Sequence, residues 1–203
     1  MADEPIVHVI DDDEGARRSL EFLIDCAGLK VRSFSSADAF LKTGLPLENA
    51  CIITDVRMPG MNGIEMVQEL KRRGNNVPVI VITGHADVPL AVQAMHAGVS
   101  DFIEKPYGDE TILGAIRTAL ARQADRDELQ AERDRVQERL ATLSMREREV
   151  MEGLVAGEAN KAIAYDLGIS ARTVEVYRAN VMLKMQAKTL SELVRMVTIA
   201  RLA

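Results

Sequence analysis

Tryptophan is absent from the 203 residues, and Tyr and Phe together number only seven. Ladders of rings for stacking single-stranded nucleic acid are therefore excluded, while duplex DNA stays open. Cysteine is almost as scarce. Cys26 and Cys51 each sit inside an apolar run (FLIDCAGL, NACIITD), with no Cys-x-x-Cys or Cys/His spacing. Both are expected to be buried reduced thiols, with neither a disulfide nor a zinc site. Long apolar runs are also missing. The longest, around Val77 to Ile82, falls far short of the roughly 20 residues needed to cross a bilayer, and MADEPIV lacks a basic-then-apolar leader pattern. The sequence points to a cytoplasmic protein with no membrane partner.

What is present is a chain with 47% hydrophobic and 28% charged residues, too apolar for disorder and long enough for one large or two modest domains. The net charge of −6 is unevenly placed: residues 1–123 carry −6, residues 124–143 carry −2, and residues 144–203 carry +2. Only the last segment favours a polyanion, and by a modest surplus.

Up to residue 123, short apolar runs alternate with segments of helical period. The runs are IVHVI (6–10), LKVRSF (29–34), ACIIT (50–54), VPVIVIT (77–83) and SDFIE (100–104); helices are predicted to begin near Ala16, Ser36, Gly63, Val88 and Glu110. Five such alternations imply a parallel, doubly wound α/β sheet with helices on both faces, a fold that binds ligands outside the carboxyl ends of its strands. Residues 124–143 contain no Gly or Pro, and Glu132, Arg135 and Glu138 recur three apart, predicting a solvated linker helix. Leu129, Val136 and Leu143 recur every seven residues, but Arg126 and Arg133 occupy the partner positions of a coiled coil. From Ser144 to residue 203 the pattern is all-helical. Ser144 and Glu147 form a capping box, Gly157 and Gly168 stop the first two helices, Ser170 caps a third reaching about Lys184, and Leu190 to Arg201 form a fourth.

The chemistry gathers at the predicted strand ends: Asp11, Asp12 and Asp13 after the first strand, Asp55 after the third, Thr83 after the fourth and Lys105 after the fifth. Taken singly each has a bland reading, as a helix cap, a turn or a surface lysine. Together they converge on one crevice. Two like charges about 4 Å apart repel by roughly 4 kcal/mol at an effective dielectric near 20, so such a cluster calls for a cation. Oxygen donors without His or Cys favour magnesium, and magnesium, a carboxylate, a hydroxyl and an ammonium together suit phosphoryl transfer.

VIDDDE, ITDVRMPGMNG, VITGH and DFIEKP resemble the signature segments of response-regulator receiver domains, in order and spacing. The resemblance implies a flavodoxin-like fold with Asp55 as phospho-acceptor for a sensor histidine kinase. It makes Asp11, Asp12, Asp55 and the backbone carbonyl of Arg57 the ligands of Mg2+. Lys105 and Thr83 become phosphoryl partners, Phe102 a ring that turns inward on activation, and Lys105-Pro106 a cis peptide. Asp13 fits better as a helix cap.

In the helix after Ser170, Val174, Tyr177, Val181 and Met185 fall on one face and are expected in the core. Arg172, Glu175, Val176 and Ala179 share the opposite stripe, where Arg172 can meet a guanine edge or phosphate and the two small apolar side chains thymine methyls. Thr173 joins this set, and Lys161, Arg178, Lys184 and Lys188 are candidate phosphate contacts. Glu175 either selects cytosine or discourages non-specific binding. SMREREVMEGLVAGEANKAIAYDLGISARTVEVYRANVMLKM resembles the helix-turn-helix of LuxR-type regulators, and the pairing with a receiver resembles the NarL/FixJ class, its FixJ subgroup in particular. That implies a transcription regulator, not an enzyme, with double-stranded DNA and RNA polymerase as partners and a phosphorylation-dependent homodimer. Phosphorylation is expected either to release the DNA-binding domain from the receiver or to pair two receivers through the helix from Val88 to Ala97. Two alternatives stay open. One is a phosphatase of the haloacid dehalogenase type using Asp11 and Asp13 with a Thr and a Lys on later strands, although it leaves Asp55 without a task and VPVIVIT is followed by no late acidic pair beyond Asp87; the other is a phosphorelay adaptor whose terminal helices bind protein.

Overall fold

Alternating apolar runs become alternating strands and helices in the computed structural model, which describes residues 4–84 and 88–201. The first three residues of MADEPIV, and His85 and Asp87 within VITGH and GHADVPLAVQAMHAG, lie outside the described residues. The chain divides into two compact units, Met1–Arg126 and Asp127–Ala203.

In the first unit the order is β1 (Ile6–Ile10), α1 (Glu14–Cys26), β2 (Lys30–Phe34), α2 (Ala37–Lys42), β3 (Ala50–Asp55), α3 (Gly63–Arg72), β4 (Val79–Thr83), α4 (Val88–Ala97), β5 (Asp101–Glu104) and the start of α5 (Asp109–Ala141). All strand pairs are parallel, in the order β2-β1-β3-β4-β5. Strands β3 and β4 are central and buried on both faces, which is why ACIIT and VIVIT read as continuous apolar runs rather than alternating ones. Odd and even residues of a strand serve opposite faces. Val7, Val9, Cys51 and Ile53 pack with Leu20 and Ile24 of α1 and with Ile112 and Ile116 of α5. Ile10, Ile52, Val79 and Val81 pack with Phe40, Met66 and Ala94 from α2, α3 and α4.

Burial of both thiols was the expectation, and the structure corrects it for Cys26. Cys51 is buried within β3, and desolvation pushes its thiol up to about 12. Cys26 is exposed at the end of α1, two positions past the buried Ile24 and therefore turned some 200° from the packed stripe.

The second unit contains the later turns of α5, then α6 (Met145–Val155), α7 (Asn160–Leu167), α8 (Ala171–Met185) and α9 (Leu190–Arg201). Ser144 and Glu147 close the capping box of α6. Gly168, at φ 65°, takes the left-handed conformation that ends α7, and Ser170 caps α8 by accepting from Thr173 N. The core joins Val150, Leu154, Ile163, Val174, Val181 and Leu193. Val136 and Leu143 are buried in this same core, and Leu129 is exposed, so two members of the seven-residue repeat serve the unit's own packing. Tyr177, expected in the core, is half-buried at its margin.

Four further bonds tie the last turns of α5 into the unit. Gln137 donates to Ala200 O, Arg139 to Met185 O and Gln186 Oε1, and Arg148 to Leu140 O. The three accepting main-chain carbonyls, of Ala200, Met185 and Leu140, lie in the last turns of helices, where helix geometry leaves them without a partner inside the helix. No helix among the described residues is long and apolar enough to cross a membrane.

Candidate functional site: an acidic crevice and an exposed helix stripe

The sheet order places β1 and β3 side by side while their connections leave in opposite directions, opening a crevice at their carboxyl ends. Ile10 pairs with Thr54 in register, so Asp11 and Asp55 emerge together. Lys105 reaches them from the end of β5: its Nζ donates to Asp11 Oδ2 at 3.0 Å and to Asp55 Oδ1 at 2.8 Å. The remaining carboxylate oxygens accept from backbone, Asp11 Oδ1 from Asp13 N at 2.9 Å and Asp55 Oδ2 from Arg57 N at 2.6 Å. Burial lowers the pKa of the Lys105 ammonium, but its bonds to Asp55 and Asp11 outweigh that, and the net displacement is upward.

The other strand-end residues take defined places. Thr83 is buried at the end of β4, opposite Glu104 on β5, and its carbonyl accepts from Lys105 N at 2.8 Å. Phe102 is half-buried on β5 against the core shared with α2, α3 and α4. The Lys105-Pro106 peptide is cis. Asp12 and Arg57 are exposed and line an open groove of about 630 Å³ with Met58, Asn62, Leu90 and Gln93. The carboxylate of Asp13 caps α1 by accepting from Ala16 N at 2.8 Å. The second acid of the phosphatase alternative is thus engaged in a helix cap, and Asp87 lies outside the described residues.

Two residues outside the strand-end set also shape the crevice. At Gly63, where α3 begins, a Cβ would stand 2.3 Å from Asp55 O, so only glycine allows the helix to approach the acceptor strand this closely. Arg17 donates from Nη1 to the carbonyls of Asp11 and Asp12. The Asn-Gly pair carried a signal for the first; nothing local marked the second.

Among the described residues no trio of His, Cys, Asp or Glu side chains is arranged to ligate a metal by itself. Magnesium does not require one, since it commonly takes one or two carboxylates and completes its shell with water, a carbonyl and phosphate oxygens. Asp11, Asp12 and Asp55, with the Arg57 carbonyl, offer hard oxygen donors only, and this chemistry fits the ion.

In the second unit, Arg172, Glu175, Val176 and Ala179 lie exposed along α8, Val176 with 57% of its surface accessible. Lys161 on α7 and Lys188 after α8 are exposed, while Arg178 is half-buried. The Thr173 hydroxyl shares a 2.8 Å hydrogen bond with Ser170 Oγ, so it belongs first to the cap. Lys184 is set apart from the other cations. Its ammonium donates to Glu147 Oε2 at 2.6 Å and to Thr142 O at 3.2 Å, and the Glu147 carboxylate is buried. That bond to Lys184, ahead of the one from Ser144 N, holds Glu147 below the ordinary carboxylate range.

Comparison with known proteins agrees with both halves of this description. Residues 7–117 match the response regulator receiver domain, and residues 141–197 match the bacterial regulatory proteins of the luxR family. The transcriptional regulatory protein FixJ of Azorhizobium caulinodans is 57% identical over 197 residues, covering 97% of this chain and 93% of that protein. FixJ of Rhizobium meliloti is 50% identical over 194 residues, covering 94% and 93%. Among solved structures, the response regulator StyR superposes with a TM-score of 0.86 at 37% identity over 96% of this chain and 98% of that one. Full-length FixJ from B. japonicum gives 0.61 at 47% identity over 98% of both. The chain therefore belongs to the response regulators that join a receiver domain to a LuxR-type DNA-binding domain, a family of transcription regulators rather than enzymes.

Proposed function

We propose that Asp55 accepts a phosphoryl group from the phosphohistidine of a sensor kinase, and that this event governs how α8 binds duplex DNA. The observation that carries the reading is Lys105 Nζ standing between Asp55 and Asp11 at the β1/β3 crevice. In the transfer, a carboxylate oxygen of Asp55 forms the new O–P bond as the donor's N–P bond breaks, and the imidazole leaves with its electron pair. Asp11, Asp12, Asp55 and the Arg57 carbonyl would hold a magnesium ion, which when bound neutralises charge on the phosphoryl oxygens. Lys105 exchanges its bond to Asp55 for one to the phosphoryl group, and the hydroxyl of Thr83 turns to the same group, with Phe102 following into the space released.

The switch is a shift of population. Moving a balance from 1:99 to 99:1 takes about 5.5 kcal/mol of differential stabilisation, within reach of a few charge-assisted bonds. On α4, Val88, Val92 and Met95 leave 77%, 48% and 58% of their surfaces exposed, an apolar face suited to a second receiver. Pairing two chains would set two α8 helices about 34 Å apart on a pseudo-palindrome. It would also compensate for the small cationic surplus of one helical unit. Arg172, Glu175, Val176 and Ala179 read base edges, while Lys161, Arg178 and Lys188 hold phosphates. Thr173 contributes through its cap, and Lys184 enters only by giving up Glu147. The regulator acts in the cytoplasm, as an activator that presents RNA polymerase with a phosphorylation-dependent dimer.

The test is DNA binding by the full chain with and without acetyl phosphate. Tightening of tenfold or more is expected in the wild type and none in Asp55→Asn; equal tightening in both would refute control through Asp55.

A further inference from the structure

We propose that Arg17 is the positioning residue of the acidic pair, fixing the direction of the Asp12 carboxylate toward a divalent cation. The inference rests on the phosphoryl-transfer reading of the crevice and deepens it. The turn between β1 and α1 is tied at both ends. Asp11 N donates to Phe34 O of the neighbouring strand, and Asp13 both caps α1 and donates its own N–H to Asp11 Oδ1. Between these anchors stands Asp12, exposed, with no side-chain hydrogen bond among the described residues. With no side-chain bond to steer it, the reach of its carboxylate starts from the Cα–Cβ direction that the backbone sets.

Arg17 supplies that backbone constraint. From one turn inside α1, its half-buried guanidinium donates through Nη1 to Asp11 O at 2.7 Å and to Asp12 O at 3.1 Å. These carbonyls belong to the two peptide planes that flank the Asp12 Cα. A peptide unit is rigid, so holding both carbonyls fixes φ and ψ of the residue between them and, through them, the Cα–Cβ direction. Both bonds leave one nitrogen, whose two N–H groups are held in the guanidinium plane; a lysine ammonium carries the charge on a shorter stem with donors that rotate freely.

The cation on Arg17 has a second, opposing influence, since it repels an incoming divalent ion. Two substitutions separate these effects. Were repulsion dominant, Arg17→Gln would bind magnesium more tightly and Arg17→Lys would match the wild type. Positioning requires the reverse order: half-saturating Mg2+ raised about tenfold in Arg17→Gln and about threefold in Arg17→Lys.

The experiment titrates Mg2+ into the full chain by calorimetry and, in parallel, follows radiolabel from acetyl phosphate onto the protein as Mg2+ is varied. A positioning role raises the Mg2+ needed for half-maximal labelling and leaves the rate at saturating Mg2+ within about twofold, a split that loss of fold would not give. Equal or tighter Mg2+ binding in Arg17→Gln overturns the inference. If that variant does not fold, unchanged half-saturation in Arg17→Lys overturns it instead. Absence of both Mg2+ binding and label in the wild type would instead sink the phosphoryl-transfer reading beneath it.

Discussion

Each unit of the chain contains a lysine drawn to a buried carboxylate, and the surroundings of the two differ. Lys184 meets Glu147, whose oxygen also accepts from Ser144 N at the start of α6, and the result is one cation against one anion. Lys105 meets Asp11 and Asp55 together, with Asp12 beside them, so the crevice keeps an excess of negative charge after the lysine has been counted. A balanced pair has nothing further to bind and serves the fold. An unbalanced cluster remains receptive to a cation, and through it to a phosphate. What distinguishes a structural ion pair from a reactive one here is residual charge rather than distance, since the bonds at 2.6, 2.8 and 3.0 Å are alike.

The comparison can be pressed at three points. The largest effect concerns where the helical unit begins. Val136, Leu140 and Leu143 pack into its core, and Gln137 and Arg139 satisfy carbonyls at the ends of α9 and α8. Burying three such side chains contributes roughly 5 kcal/mol, as much as a domain of this size has in total. A fragment starting at Asp127 should melt cooperatively by circular dichroism, whereas one starting at Ser144 should be largely unfolded at 25 °C. Equal melting of the two would show that these turns of α5 add nothing.

Next is acid sensitivity, which should differ between the units. His8 is buried between Phe34 and Phe40, neither ring nitrogen has a hydrogen-bond partner among the described residues, and burial, with a smaller push from Arg32, lowers its pKa to about 4. The fold thus favours the neutral imidazole, and nothing is lost while pH stays above 6.5. Below that the unfolded chain takes up the proton first, so stability falls by about 3 kcal/mol as pH approaches 4. Glu147 has the opposite linkage. Its stabilisation is complete above about pH 4.5, the ordinary value, and is lost only as pH drops through its lowered pKa. Calorimetry between pH 7 and pH 5 should show the receiver transition falling and the helical transition holding. His8→Leu should abolish the difference; persistence of the fall in that variant would place the acid-sensitive group elsewhere.

The smallest effects separate base reading from phosphate holding. Arg172→Ala is expected to lose about 2 kcal/mol on the preferred site and little on random duplex. Lys161→Ala should weaken both by about 1 kcal/mol and reduce the slope of log affinity against log salt by about one. Identical behaviour of the two variants would remove the distinction between the α8 stripe and its flanks.

Much of this architecture was legible because it is local. Strand ends follow from apolar runs, the capping box from Ser144 and Glu147, and the left-handed stop of α7 from Gly168, and each lies within a few residues of its cause. The crevice was legible for a different reason, since parallel topology obliges all strand ends to share an edge. Pairs created only by packing escaped. Nothing in spacing announces that Lys184 closes on a carboxylate 37 positions away, or that Arg139 caps a helix that ends 46 positions later. Solvation of residues 124–143 was overread for the same cause: a surface rich in Arg and Glu hides the few apolar positions, Val136 and Leu143, that packing selects. Arg17 was missed because a side chain that bonds backbone carbonyls leaves no mark on the identity of its partners.

The unequal fates of the two thiols open a practical route into the molecule. Cys51 is sealed in the sheet with a pKa near 12 and will ignore alkylating reagents at neutral pH, while Cys26 stands in solvent on the helix that carries Arg17. With no tryptophan in the chain to compete, one fluorophore attached there would give an optical signal from α1 in the otherwise unmodified protein.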